Sequence, residues 1–250
     1  MKPLILITND DGVAAKGLAA LHGVAQEFGE VVVMAPECNA SAKGLSLTTT
    51  RPLRVKEVGS FYCCDGTPVD CLKLAYEHFC TRKPDLVLSG INHGSNASIN
   101  VVYSGTMGAA IEAAVLGLPA IGFSLLNHSA EADFEPAIPY VRHIIGKVLE
   151  EGLPQNVALN VNIPKLPADE IRGIRICREA MARWVDSFER RVDPIGRPYW
   201  WLTGKFDCND LAPETDEGAL REGYVSVVPV QPDYTCYKAM SKIQNLAFTN

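Results

Sequence analysis

The first apolar run, Leu4 to Thr8, breaks off abruptly at Asn9-Asp10-Asp11-Gly12. A short unbroken hydrophobic stretch closed by polar turn residues predicts a strand buried on both faces. The period then changes. Leu18, Leu21, Val24, Ala25 and Phe28 follow a helical spacing over Gly17 to Phe28, and Gly29 stops it. Val31 to Pro36 is a second buried strand. Strand, helix, strand at the start of a chain predicts a parallel sheet covered by helices.

The same alternation continues. Residues 37 to 50 are rich in Ser, Thr, Asn, Ala and Gly and predict a long loop, a feature that in compact domains is often functional. Leu53 to Val58 and Ser60 to Cys64 read as short strands. Gly66-Thr67-Pro68-Val69-Asp70 is a helix start: Thr67 can cap, Pro68 suits the first helical position and Asp70 can answer the cap. That helix is expected to reach about Cys80. Asp85 to Ser89 is a third core strand, followed by a polar turn from Gly90 to Asn96. Ser104-Gly105-Thr106 opens a helix of small residues to about Leu116. Ala120 to Leu125 is a fourth strand, Pro136 to Glu151 a helix and Val157 to Ile163 another strand. The fold class is therefore α/β, a doubly wound, mostly parallel, Rossmann-like sheet between helices.

After Pro164 the texture changes. Ile171 to Cys177 reads as an edge strand. Trp184 to Trp201 mixes charged and aromatic residues, among them Arg190, Arg191, Arg197, Tyr199 and Trp200, and predicts an extended hairpin or arm. Thr215 to Gly223 predicts a short helix and Tyr224 to Val230 a last strand, with a loop and weak helix beyond Pro232. The expected division is a catalytic α/β core over residues 1–164, with residues 165–250 supplying strands, arm and tail that complete the same fold. No internal repeat is present.

Composition narrows the classes. The chain has 250 residues, a net charge of -6 and 47% hydrophobic residues, which suits a folded protein with its own core. An acidic balance argues against a binder of nucleic-acid polymers, which needs a basic face. The longest mostly apolar stretch, Ala113 to Leu126, is too short for a membrane span and is broken by Pro119, and the N-terminal apolar run is too short for a signal peptide, so a cytoplasmic location without membrane association is expected. The eight cysteines form no CxxC pair and are read as free thiols, with Cys71 and Cys80 acting as small hydrophobes in a helical pattern.

In open α/β sheets ligands bind beyond the carboxyl ends of the strands. Two such ends carry unusual polar groups here, Asn9 to Gly12 and Gly90 to Asn92. Neighbouring carboxylates at a buried strand end repel each other unless one is protonated or a cation lies between them. A set of Asp, Asp, Asn and Ser oxygens suits a hard divalent cation; alternatively Asp10 and Asp11 simply cap their turn. Ser104-Gly105-Thr106 can cradle a phosphate at a helix N-terminus, or be an ordinary N-cap. Gly94 and Asn96 can add donors, or serve only a tight turn. His93, within a candidate turn, is read first as a solvated loop histidine and second as a proton-transfer group. His22 and His143 fall on helices, as structural or solvated residues.

Taken in order, these segments resemble one family. Thr8-Asn9-Asp10-Asp11-Gly12, Ala35-Pro36 followed by Ser41, Gly44 and Ser46-Leu47-Thr48, Gly66 to Cys71, Ser89 to Asn96 and Tyr103-Ser104-Gly105-Thr106 are similar to the survival protein SurE family of metal-dependent nucleotidases. So are Leu159 to Pro164, Asp193-Pro194 with Gly196-Arg197, and Gly223 to Ser226. The resemblance implies hydrolysis of nucleoside 5'- and 3'-monophosphates with one divalent ion per subunit, Mg2+ or Mn2+. It implies Asp10, Asp11, Ser41 and Asn92 as metal ligands and Asp10 and Asp11 as catalytic. It places Asn9, Asn96, Ser104, Gly105 and Thr106 at the phosphate. It also implies a homodimer or homotetramer that exchanges C-terminal segments, which the arm after Pro164 fits. One position departs: the family usually has Gly after the loop serine, and this chain has Ala42. Two rivals are a phosphatase forming a covalent aspartyl-phosphate on Asp10, and a nucleotide-binding module without turnover.

Overall fold

The computed structural model describes residues 2–246. Strand β1 (Leu4–Thr8) is buried at every position, as an unbroken apolar run requires. Helix α1 (Lys16–Ala25) follows, and buries Leu18, Leu21, Val24 and Ala25 on one side. It is shorter than its apolar period suggests. After Ala25 the backbone tightens to i→i−3 bonds, with Glu27 N donating to Val24 O and Phe28 N to Ala25 O. Then come β2 (Glu30–Pro36), β3 (Val55–Val58) and β4 (Phe61–Cys64). Helix α2 (Pro68–His78) starts on the expected capping box, Thr67 accepting from Asp70 N while the Asp70 carboxylate accepts from Thr67 N.

Strand β5 (Leu86–His93) is longer than its sequence suggests and runs through the segment expected to be a turn. Between Ser89 and Asn92 it takes three steps where its neighbour takes two, Gly122 to Ser124, so it carries one extra residue. Such a bulge re-aims the side chains that follow it. The one-turn helix α3 (Asn100–Tyr103) leads directly into α4 (Gly105–Val115), with Ser104 ending the first and capping the second. Strand β6 (Ala120–Leu125), helix α5 (Ile138–Glu151) and strand β7 (Ala158–Ile163) complete the regular alternation.

The sheet order is β3-β4-β2-β1-β5-β6-β7, extended at one edge by two later strands, β8 (Ile174–Ile176) and, inserted before it, β11 (Val225–Val230). From β2 to β7 the pairings are parallel, while β11 runs antiparallel to β7. Leu6, Met34, Val87 and Met107 lie in one core with α2 and α4. Ile5, Ile7, Leu88 and Phe123 lie in the other with α1 and α5. The chain winds away from β1 in one direction through β2 and in the other through β5. The strand order therefore reverses between β1 and β5, and the crevice beyond their carboxyl ends is where such folds bind ligands.

Outside the sheet, β9 (Ala182–Val192) and β10 (Pro198–Cys208) form an antiparallel hairpin in register over their whole length. It is the expected arm, and most of it is exposed, Phe188, Trp200, Trp201 and Leu202 included. Helix α6 (Asp216–Arg221) is capped by Thr215 and precedes β11. The tail ends in a single helical turn, α7 (Tyr237–Met240), and a 3-10 segment. No helix among the described residues is long and apolar enough to cross a membrane.

Candidate active site

A cleft of about 620 Å³ opens beyond β1 and β5. Asp10, Ser41, Asn92, Asn96 and Ser104 all line it, although they come from four separate stretches of sequence. Asp10 is 3% exposed. Its Oδ1 accepts from the Thr106 hydroxyl at 2.6 Å, and its backbone carbonyl accepts from Ala40 N at 2.7 Å, which ties the long loop to the end of β1. Burial raises the Asp10 carboxyl above the usual carboxylate range. The Thr106 hydrogen bond opposes that, and the nearby Asp11 carboxylate adds to it. Asp11 is also raised, again chiefly by burial, although His93 N donates to its Oδ2 at 3.2 Å. A buried carboxyl beside a half-buried one, with no cationic side chain between them, is a charge pattern that an added cation could relieve.

Gly105 lets the first turn of α4 close over Asp10. A Cβ there would stand 2.8 Å from the Asp10 Cβ and 2.9 Å from its Oδ2. Gly90 plays a parallel part in β5: at φ +127° its Cβ would meet Phe123 O at 2.4 Å. Just beyond it, the Asn92 amide nitrogen is taken by the carbonyls of His93 and Gly94, at 3.2 and 2.9 Å, which leaves the Asn92 Oδ1 as its acceptor at the cleft. Ser104 accepts from Met107 N at 2.9 Å as an N-cap, so its hydroxyl proton stays available beside the N-terminus of α4.

Other expected residues stand differently. Both ends of the Asn9 side chain are committed to Gly12, Nδ2 donating to its carbonyl at 3.0 Å and Oδ1 accepting from its N–H at 3.3 Å. Asn9 thus shapes the turn that carries Asp10 and Asp11. Thr106 is fully buried with its hydroxyl spent on Asp10. His93 is not a solvated loop histidine. It ends β5 half-buried, its ring edge-on to Phe134 at 5.0 Å. Ser41 is exposed on the loop, and its neighbour Ala42, the position that departs from the family pattern, has φ +60°, a conformation glycine adopts more readily.

Asn96 is held on three sides. Its N–H donates to Asn162 Oδ1 at 2.8 Å, its carbonyl accepts from Asn160 Nδ2 at 2.8 Å, and its own amide donates to Ser124 Oγ at 2.8 Å. Asn162 in turn donates to Asn160 Oδ1 at 2.9 Å. Asn160 and Asn162 carry a signal that sequence reading passed over: two amides at a spacing of two inside a strand otherwise apolar place both on one buried face. Trp184, His128 and Asp186 also line the cleft, and no local pattern marks them. Among the described residues no lysine or arginine lines it.

Fold and site together define a doubly wound α/β protein with an acidic, oxygen-rich crevice at its strand-order reversal. A profile of the family described as Survival protein SurE matches residues 5–186, and the chain belongs to that family. A relative in Flavobacterium psychrophilum, named 5'-nucleotidase SurE, is 50% identical over 250 residues, covering 98% of this chain and 97% of its own. One in Christiangramia forsetii, of the same name, is 53% identical over 243 residues, 94% of each chain. The crystal structure of the SurE protein from Aquifex aeolicus superposes with a TM-score of 0.86 at 40% identity, covering 98% of this chain and 99% of that one.

Proposed function

We propose that the chain is a divalent-metal-dependent phosphatase that hydrolyses nucleoside 5'-monophosphates, with 3'-monophosphates as further substrates, to nucleoside and phosphate. The carrying observation is a buried carboxylate, Asp10, set at the N-terminus of α4 in a cleft that gathers Asn92, Asn96, Ser41 and Ser104 but no cationic side chain. A phosphate dianion entering such a cleft meets like charge unless a cation accompanies it. The oxygens of Asp10, Asp11, Asn92 and Ser41 are the donor type that Mg2+ or Mn2+ prefers, and these residues would hold one ion per subunit. Bound there, the ion supplies positive charge against the phosphoryl oxygens. The names borne by the relatives support the same substrate class.

The chain's own groups divide the remaining work. Asp10 or Asp11 orients the attacking water and takes its proton. Thr106 fixes the Asp10 carboxylate from behind through its hydroxyl on Oδ1. The Ser104 hydroxyl and the positive N-terminal end of α4 steady the equatorial oxygens. Asn96, locked by Asn160 and Asn162, offers an amide hydrogen that needs no reordering. Asn9 acts one step back, by shaping the Asp10-Asp11 turn. The exposed aromatic arm supports assembly into a homodimer or homotetramer.

The test is phosphate release from adenosine 5'- and 3'-monophosphates with Mg2+ or Mn2+. Release is expected with either ion, to stop with a chelator, and to fall by about 10³-fold or more in Asp10→Asn while the thermal melt stays cooperative. Unchanged turnover in chelator, or near-native turnover in Asp10→Asn, would refute the reading.

A further inference from the structure

We propose that Trp184, at the root of the hairpin arm, is the platform on which the nucleobase of the substrate stacks, an inference that rests on the nucleotidase reading above. Of the three tryptophans, Trp184 is the one that lines the cleft shared by Asp10, Asn92 and Ser104. It is 44% exposed, so much of its aromatic surface is open to solvent where it lines the cleft.

The ring is held in place on several sides. Its Nε1 donates to Asn100 Oδ1 at 2.8 Å, and Phe206, its partner across the hairpin, packs against it at 5.6 Å between centroids. The strand that carries it is clamped just upstream. The fully buried Asp216 carboxylate accepts from Ala180 N at 2.9 Å and from Ser98 N at 2.7 Å, and Ser98 Oγ donates to Ala180 O at 2.9 Å. Ser98 lies two residues from Asn96, so one carboxylate fixes both the arm root and the phosphate side of the cleft. A flat group ordered before binding loses little freedom when a ligand stacks on it.

The spacing suits a nucleotide. Asn100 begins α3 and Ser104 ends it, the turn closed by Ser104 N donating to Asn100 O at 3.1 Å. Four residues of helix advance about 6 Å, a gap that a ribose spans between phosphate and base. Every base presents a π-face, so stacking of this kind tolerates all of them. The platform therefore predicts recognition of nucleotides as a class over phosphate esters without a base, with little choice among bases.

The experiment compares wild type, Trp184→Ala and Trp184→Phe on adenosine 5'-monophosphate and ribose 5-phosphate with Mn2+, and measures binding of adenosine, which has no phosphate, by calorimetry. In Trp184→Ala the ratio of kcat/KM for the nucleotide over ribose 5-phosphate should fall by about tenfold, mainly through KM, and adenosine binding should weaken by a similar factor. Trp184→Phe should recover much of both. A ratio unchanged by Trp184→Ala, with both substrates lowered together, overturns the platform, as does adenosine binding that is absent in wild type or indifferent to Trp184. Wild type that hydrolyses neither ester while adenosine binding still depends on Trp184 upholds the platform and refutes the hydrolytic reading instead.

Discussion

At Gly105 the backbone of α4 passes within reach of the Asp10 side chain, so the residue type is set by another residue 95 positions earlier. Gly105→Ala would force the helix start and the carboxylate apart. A displacement near 1 Å at a reacting group costs about 10²-fold, whereas one extra methyl in a packed site costs about 1–3 kcal/mol of stability. We therefore expect kcat/KM of Gly105→Ala to drop by about 10²-fold in a protein that still folds. Paired kinetics and thermal melts check this, and near-native kcat/KM would show that the close approach is not needed. The sequence marked Gly105 as part of a phosphate turn, and Thr106 with it. It did not show that both serve Asp10 directly, because a hydroxyl's partner and a glycine's neighbour are decided by packing between elements. Ala42 is the converse case: its departure from the family pattern was visible, and its positive φ gives the reason glycine is usual there.

Among the elements, the hairpin is the one whose placement matters most and whose sequence said least about it. Its two strands were legible from their length and aromatic content. Its attachment was not. Arg178, just before β9, grips Asp210, just after β10, through two bonds of 2.7 and 3.0 Å, and Met181 N adds a third at 3.0 Å. The Arg178 guanidinium, with the Met181 N–H, holds the Asp210 carboxyl down to about 2, against 3.8 unperturbed. A carboxyl depressed by folding stabilises fully above its unfolded value and loses that contribution as pH falls through its folded value. The hairpin root should therefore loosen between pH 3.8 and about 2. Hydrogen exchange at residues 180 to 183 should show this in wild type, with a smaller change over the same range in Asp210→Asn. An equal pH response in both proteins would locate the acid sensitivity elsewhere. Strand β5 teaches a similar lesson. Its polar end reads as a turn because Gly, Asn and His are turn residues, yet the sheet carries it on to His93 by accepting one extra residue.

For the molecule as a whole, the sheet order brings residues 10, 41, 92, 104 and 184 to one opening, and the arm leaves a large aromatic surface in water. Phe188, Leu202, Trp200 and Trp201 are all more than half exposed, an arrangement single soluble chains rarely keep. Light scattering is expected to give a mass two or four times 27.1 kDa. Trp200→Ser combined with Trp201→Ser, which alters both faces of β10, should shift it toward the single chain. A wild-type mass of one chain would mean that the arm is not an assembly surface.

Local chemistry along the chain determined the strands and helices of the core, the capping box at Thr67, the helix cap at Ser104 and the acidic turn at Asp10 and Asp11. Each depends on neighbours a few residues away, through side-chain period, backbone preference or a short hydrogen bond. Tertiary structure alone decided what meets across the crevice: Thr106 against Asp10, Asn160 and Asn162 around Asn96, Asp216 between Ser98 and Ala180, and Trp184 beside Asn100. Those pairings join residues far apart in sequence, and they form only because burial on both faces of one twisted sheet fixes where each strand end must stop.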